Sequence, residues 1–333
     1  MNNIFNTVRN LVKLAAVATA ASLAMASAHA EQQPVNITYL LPAPTNAIAF
    51  APLMLAQYKN YYADAGLNVR FVSVRGGADV GKQLGAGNGE LGGALGDTPL
   101  ILRQNGIPVK GVALLGGKAL HQLMARTDRD IKTPADLEGK TITVMSYQDT
   151  SFFATLAVLA NADLTRDDAS IQAAGPNGIW QLVANGNADA IVGAPEMGAF
   201  AEDAGASLNW QSTGEFFPGM AQAILTSEDM IKNNPDTIRK FVAATLKSLA
   251  EVRDDPESAA KAYVEAQPSY KGREALVTKV LTYYANNVYP GQEVLGQFDP
   301  QRIDALQKFY LEQGIIQKEL DLNDVFTNEF VTE

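Results

Sequence analysis

The chain contains no cysteine. Disulfides, thiolate metal sites, cysteine nucleophiles and a lipid-modified cysteine at a mature N-terminus are therefore excluded. Histidine is nearly as scarce, with only His29 and His121 in 333 residues. One or two histidines without cysteine do not supply a usual zinc site, and no Gly-x-Ser-x-Gly elbow accompanies them to suggest a Ser-His-Asp hydrolase. Basic residues are outnumbered, 26 Lys and Arg against 36 Asp and Glu, for a formal charge of −10. Such a balance argues against nucleic acid or an anionic membrane surface as partner. Past residue 30 no run approaches the 18 or so apolar residues of a membrane span. No catalytic residue, metal or cofactor is implied.

What is present begins with a leader. Arg9 and Lys13 precede an apolar run at 14–25, too short to span a bilayer as a mature helix, and Ala28-His29-Ala30 follows. This is the order of a secretory signal peptide (residues 1–30) with cleavage after Ala30. The mature chain would keep 303 residues and, without Arg9 and Lys13, a charge of −12. It is expected to be exported to the periplasm without a lipid anchor, and to be a monomer. That length is large for one core, so two domains are expected.

From residue 36 the pattern is strand, loop, helix, repeated. Strands are read at 36–41 and 68–74, a helix at 50–65 between them, then Gly76-Gly77, a short helix, Gly87-Asn88-Gly89-Glu90, a third strand, and Gly96-Asp97-Thr98. A second unit follows Thr133-Pro134-Ala135-Asp136, a capping-box spacing. Its strands are read at 141–145, 169–174 and 190–194. The runs Gly87-Asn88-Gly89-Glu90 and Gly186-Asn187-Ala188-Asp189 lie 99 residues apart, and Asp97 and Glu196 match at the same offset. The helical remainder, with apolar stripes such as Ile238, Phe241 and Leu249, reads as packing. The expectation is an α/β fold of two lobes, each a mainly parallel sheet flanked by helices, joined by a two-segment hinge. Residues 31–124 plus 225–333 form lobe I, and residues 125–224 form lobe II.

Several motifs resemble a known family. Leu40-Leu41-Pro42, Ala51-Pro52-Leu53, Ala56-Gln57-Tyr58-Lys59-Asn60-Tyr61-Tyr62 and Ala65-Gly66-Leu67-Asn68-Val69 form its opening. Gly76-Gly77, the run from Leu84 to Glu90 and Asp136-Leu137-Glu138-Gly139-Lys140 continue it. The chain resembles substrate-binding proteins of ABC importers for nitrate, sulfonates, taurine and pyrimidine precursors. The resemblance implies a type-II periplasmic binding fold, a ligand held between the lobes, and delivery to an ABC transporter permease. It also reaches fungal-type enzymes of pyrimidine biosynthesis, whose Cys- and His-rich iron motifs are missing here.

Gly87-x-Gly89-x-x-Gly92 has the dinucleotide spacing, but it follows a helix and opens a strand, the reverse of what phosphate binding requires. Ligand contacts are expected instead in loops after strands. Thr45, Asn46 and Phe50 follow the first strand, and Arg75, Gly76, Gly77 and Ala78 the second. Asp97 and Thr98 follow the third. Tyr147, Asp149, Thr150 and Ser151 open a helix in the second unit, Glu196 follows its last strand, and Phe217 precedes the return crossing. Beside a glycine pair with free backbone N–H groups, Arg75 would clamp an anion through paired hydrogen bonds. The favoured solute is thus a small organic anion, a sulfonate or aromatic carboxylate. A pyrimidine-like or other heteroaromatic vitamin precursor is the alternative, with an enzyme or a ligand sensor on the same fold behind it. Two aromatic rings in the cleft would shift the balance to a flat ring system.

Overall fold

A computed structural model describes residues 33–147 and 149–331. The leader and its cleavage site lie outside the described residues. Residues 35–333 form one compact unit containing two five-stranded sheets.

The first sheet is built from β1 (Val35–Leu41), β2 (Leu67–Ser73), β3 (Leu91–Leu95), β4 (Val109–Leu114) and β10 (Gln222–Ser227), in the order β2-β1-β3-β10-β4. The second uses β5 (Gln122–Arg126), β6 (Thr141–Val144), β7 (Ser170–Ala173), β8 (Ala190–Gly193) and β9 (Leu208–Ser212), in the order β7-β6-β8-β5-β9. One strand in each is antiparallel to its neighbours: β10 against β3 and β4, and β5 against β8 and β9. Each sheet thus borrows its odd strand from the chain as it crosses from the other. The boundaries read at 124/125 and 224/225 fall inside these two strands. Pairing keeps all of β5 in the second sheet and all of β10 in the first.

The 99-residue echo corresponds to a shared construction. Glu90, just before β3, accepts a hydrogen bond from the Thr38 amide of β1 (2.6 Å) and donates its own amide to the Thr38 carbonyl. Asp189, just before β8, does the same with Thr141 at the start of β6 (2.8 Å). A carboxylate at that position anchors a central strand to its neighbour through charge-assisted bonds. Gly87 and Gly186 hold φ near +75° in the preceding helix-to-strand turns, where a side chain would be strained.

Ten helices carry the argument: α1 (Ala51–Tyr58), α2 (Gly77–Gly85), α3 (Thr98–Arg103), α4 (Thr150–Ala160), α5 (Gly175–Ala184), α6 (Pro195–Asp203), α7 (Pro235–Asp254), α8 (Pro256–Ala266), α9 (Glu274–Asn287) and α10 (Pro300–Glu312). The helix read at 50–65 breaks in two because Asn60 takes a left-handed conformation (φ 62°). The Thr133 capping box forms as expected, with the Thr133 amide donating to Asp136 (2.8 Å). On α7, Phe241 stacks between Tyr39 of β1 and Tyr62, with centroids 5.2 and 4.7 Å away. Each such ring pair adds about 1 kcal/mol beyond area burial.

The two crossings run side by side. Leu120 donates its amide to the Met220 carbonyl, and the half-buried guanidinium of Arg302 on α10 donates to the carbonyls of Gly117 and Gly219. One side chain therefore ties both crossing segments to the same helix.

Candidate functional site

Parallel strands with helices after them leave their carboxyl ends free at one edge, where α/β sheets bind ligands. Here the two such edges face each other. Between them is a cleft enclosing about 570 Å³ of non-atom space, part of it open solvent, lined from the first sheet by Pro42, Ala43, Phe50, Ala94 and Leu95. The second sheet contributes Met145, Asp149, Thr150, Ser151, Ile179, Gly193, Glu196 and Met197. His121 and Gln222 enter from the paired crossings, one at the foot of β5 and one at the start of β10.

The lining is mostly apolar, with a few convergent polar groups and no lysine or arginine. Asp149 caps α4, its Oδ1 accepting from the Ser151 amide (2.9 Å). Ser151 Oγ in turn accepts from the Met145 amide (3.1 Å). Burial raises the Asp149 carboxyl above its ordinary value, with the Ser151 and Thr150 hydrogen bonds pulling the other way. Glu196 is 1% exposed and spans the cleft. One oxygen accepts from the Ala49 amide (3.3 Å), the other from the Tyr284 hydroxyl on α9 (2.8 Å). Its carboxyl is likewise pushed up, by burial first. His121 is buried, its Nδ1 has no hydrogen-bond partner, and burial lowers its pKa to about 3. It therefore stays neutral at physiological pH and presents one nitrogen to the interior.

Of the expected site residues, Phe50, Asp149, Thr150, Ser151 and Glu196 line this chamber, and Asn46 lines its outward continuation. Thr45 lies exposed outside it. Arg75 is exposed and does not line the cleft. Its amide is taken by Asp79 (3.1 Å), and the Gly76 amide by the Pro42 carbonyl. The expected anion clamp is thus not assembled: neighbours consume two of its donors, and the side chain faces solvent. Gly77 packs against Thr150 and Ala94, and Ala78 against the apolar cluster beneath α2. Asp97 and Thr98 are buried behind the chamber, Asp97 bonded to Tyr310 of α10. Phe217 stacks on Phe309 (5.8 Å) instead of facing solute space. Tyr147 is exposed and donates to the Ile171 carbonyl (3.1 Å).

Residues that sequence reading passed over include Gln222, Met197 and, further out, Trp180, Phe200, Tyr270 and Arg273. Trp180 and Phe200 sit on helices whose apolar spacing signals packing. Only the folded arrangement turns those faces inward.

Residues 47–259 match the model of the family described as NMT1/THI5 like. The chain belongs to that family. A curated relative is the riboflavin-binding protein RibY of Chloroflexus aurantiacus, 28% identical over 293 residues, covering 85% of this chain and 83% of that one. Another is the taurine-binding periplasmic protein of Escherichia coli, 24% identical over 65% of this chain and 66% of its own length. Among solved structures, the alkanesulfonate-binding protein SsuA from Xanthomonas axonopodis pv. citri, bound to MOPS, superposes with a TM-score of 0.70. It is 19% identical, and the match covers 90% of this chain and 99% of that one. With this family and the two-lobe fold of periplasmic binding proteins, the chain is an ABC-type solute-binding protein. Among the described residues no helix is long and apolar enough to cross a membrane, and no cluster of metal-ligating side chains occurs.

Proposed function

We propose that this protein captures a flat, uncharged heteroaromatic solute of the pyrimidine type in the cleft. The hinge closes over the solute, and the closed form delivers it from the periplasm to an ABC permease. The observation that carries this reading is the chamber's polar set: two buried carboxyl groups, a neutral imidazole and a free amide, with no cation. A carboxylate in a desolvated space repels an anion, whereas it accepts readily from the ring N–H or amino groups of a pyrimidine edge. Gln222 and His121 offer the matching partners for ring carbonyl or nitrogen, Phe50 supplies a flat ring and Met197 an adaptable apolar contact. The riboflavin named for one relative contains such a ring edge.

A small organic anion is the second reading. The taurine and alkanesulfonate named for other relatives favour it.

Binding selects the closed form, and recognition of that form by a permease makes uptake directional. Native mass spectrometry of protein taken from its own cell envelope, followed by calorimetry against riboflavin, an aminopyrimidine, taurine and an alkanesulfonate, tests the assignment. Stoichiometric binding of a heteroaromatic probe, unaltered on recovery, is expected. Capture of taurine or the sulfonate alone would transfer the assignment to the anion. Loss of uptake on deletion separates an importer component from a sensor, and chemical conversion of the bound probe would indicate an enzyme.

A further inference from the structure

The cleft continues outward past Glu196 and Met197 into a second compartment of about 710 Å³ of non-atom space, part of it open solvent. Ala43 and Ala47 also border both spaces, so the two adjoin along one wall. The outer compartment differs in chemistry. Asn177 and Trp180 of α5 and Phe200 of α6 line it on one side, with Asn46, Tyr270 and Arg273 opposite.

Tyr270 is 6% exposed, yet its hydroxyl makes no hydrogen bond with any described residue. Neither does the Trp180 indole N–H nor the Asn177 side-chain amide. The Tyr270 hydroxyl lines the compartment and has no partner among the described residues, so a solute entering the space can take its hydrogen bond. Three donors without such a partner, on buried Tyr270, half-buried Trp180 and exposed Asn177, thus line one space. Trp180 meets Phe200 edge-on (5.9 Å), which leaves broad apolar ring surface beside them.

The compartment carries a cation, but a compensated one. Arg273 is paired with Asp203 (2.6 Å) and stands over the Phe200 ring (5.5 Å). Glu196 lies in the shared wall. No unbalanced positive charge remains to hold a phosphate or sulfonate.

We infer that the solute has two parts: a flat head in the inner chamber and an uncharged polyhydroxyl chain in the outer compartment. This rests on the heteroaromatic reading of the head. Hydroxyl groups accept from Tyr270, Trp180 and Asn177 and donate to the Glu196 side, while the chain's C–H faces lie on the Trp180 and Phe200 rings. A head alone leaves those donors unpaired.

Three flavin probes separate the possibilities by calorimetry on the mature protein: riboflavin, lumichrome (a tricyclic flavin-type ring without the chain) and flavin mononucleotide. Riboflavin is expected to bind at least tenfold more tightly than lumichrome. Tyr270→Phe should reduce riboflavin affinity about fivefold and leave lumichrome unchanged, a split that general misfolding would not produce. Flavin mononucleotide should bind more weakly than riboflavin. Equal affinities for riboflavin and lumichrome, unmoved by Tyr270→Phe, would overturn the outer subsite while leaving the heteroaromatic head intact. An aminopyrimidine binding more tightly than riboflavin would do the same. Tightest binding by the mononucleotide would overturn the uncharged chain, and no binding by any heteroaromatic probe would remove the head reading and this inference together.

Discussion

Asp97 and Glu196 stand 99 residues apart, each just past a central strand, each buried, and each bonded to a tyrosine hydroxyl from the C-terminal helices. Their partners differ in where they lie. Tyr310 belongs to α10, on the same side as Asp97, so that bond stays within one half of the molecule. Tyr284 belongs to α9, which packs across the cleft against α6, so the bond to Glu196 joins the halves. The Ala49 amide bound to the same carboxyl joins them a second time. Equivalent positions in a repeated fold have thus diverged, one into a pin inside a lobe and the other into a latch between lobes. On the proposed closure the latch holds only while the lobes are together, so its energy biases that equilibrium, whereas the pin's energy is present in both states.

Breaking the pin should have the largest effect, and on stability. Tyr310→Phe removes the side-chain hydrogen bond to a buried carboxyl that already has one oxygen unpaired. A loss of about 2 kcal/mol is expected in urea denaturation, with solute affinity unchanged. The sign of the pH dependence follows from burial, which raises the Asp97 carboxyl, while Tyr310 pulls it down. An acid with a raised folded value binds more protons folded than unfolded, so its contribution declines as pH climbs above about 4. Without Tyr310 the carboxyl rises further, so the deficit of the variant should widen between pH 4 and 7. A deficit that shrinks over that interval would contradict the pin.

Breaking the latch should act on affinity instead. Tyr284→Phe leaves the chamber lining intact and removes one of the two bonds Glu196 makes to the opposite half. Solute affinity is expected to fall about tenfold, roughly 1.4 kcal/mol, and small-angle scattering of the solute-free protein should show a more open average shape. An equal loss of stability in Tyr310→Phe and Tyr284→Phe, with affinity untouched in both, would erase the distinction.

Much of this fold was legible because it rests on local rules. Alternating strands and helices, the turn glycines Gly87 and Gly186, and the Thr133 capping box are each set by neighbours in the chain. The pairing of Glu90 with Asp189 was visible as an echo, although their shared role in fastening β1 and β6 was not. Features missed are those that tertiary contacts decide. β9 has no core-facing alternation strong enough to mark it, since its residues are all half-buried or exposed at a sheet edge. Arg75 looked like a clamp because it adjoins a glycine pair, but Asp79 one helical turn on claims its amide. Trp180, Tyr270 and Arg273 meet in one space although they come from segments some 90 residues apart, which no local spacing announces. At Glu196 the case against a bare anion rests on charge, so it does not depend on which backbone donors are free.

The smallest effect concerns a glycine where the halves touch. Gly77 opens α2, and a Cβ built there would lie 2.9 Å from Thr150 Cγ2 and 3.0 Å from Ala94 Cβ. Ala94 belongs to the same half, but Thr150 opens α4 on the other side of the cleft. Gly77→Ala would favour the helix by about 0.5–1 kcal/mol, which offsets the squeeze on Ala94 and should leave folding stability nearly unchanged. Against Thr150 the extra methyl has a second way out, because the cleft can open by a few tenths of an ångström. Affinity should therefore fall about threefold while stability holds. Thr150→Ser removes the opposing methyl, so in the double variant the Gly77→Ala penalty should disappear. Because Thr150 also lines the chamber, the coupling must be read from the full double-mutant cycle and not from either single change. A Gly77→Ala penalty equally large in the Thr150→Ser background would place the strain at Ala94, inside one lobe. Contact at this edge would then report on packing within a half, as Asp97 does, and not on closure.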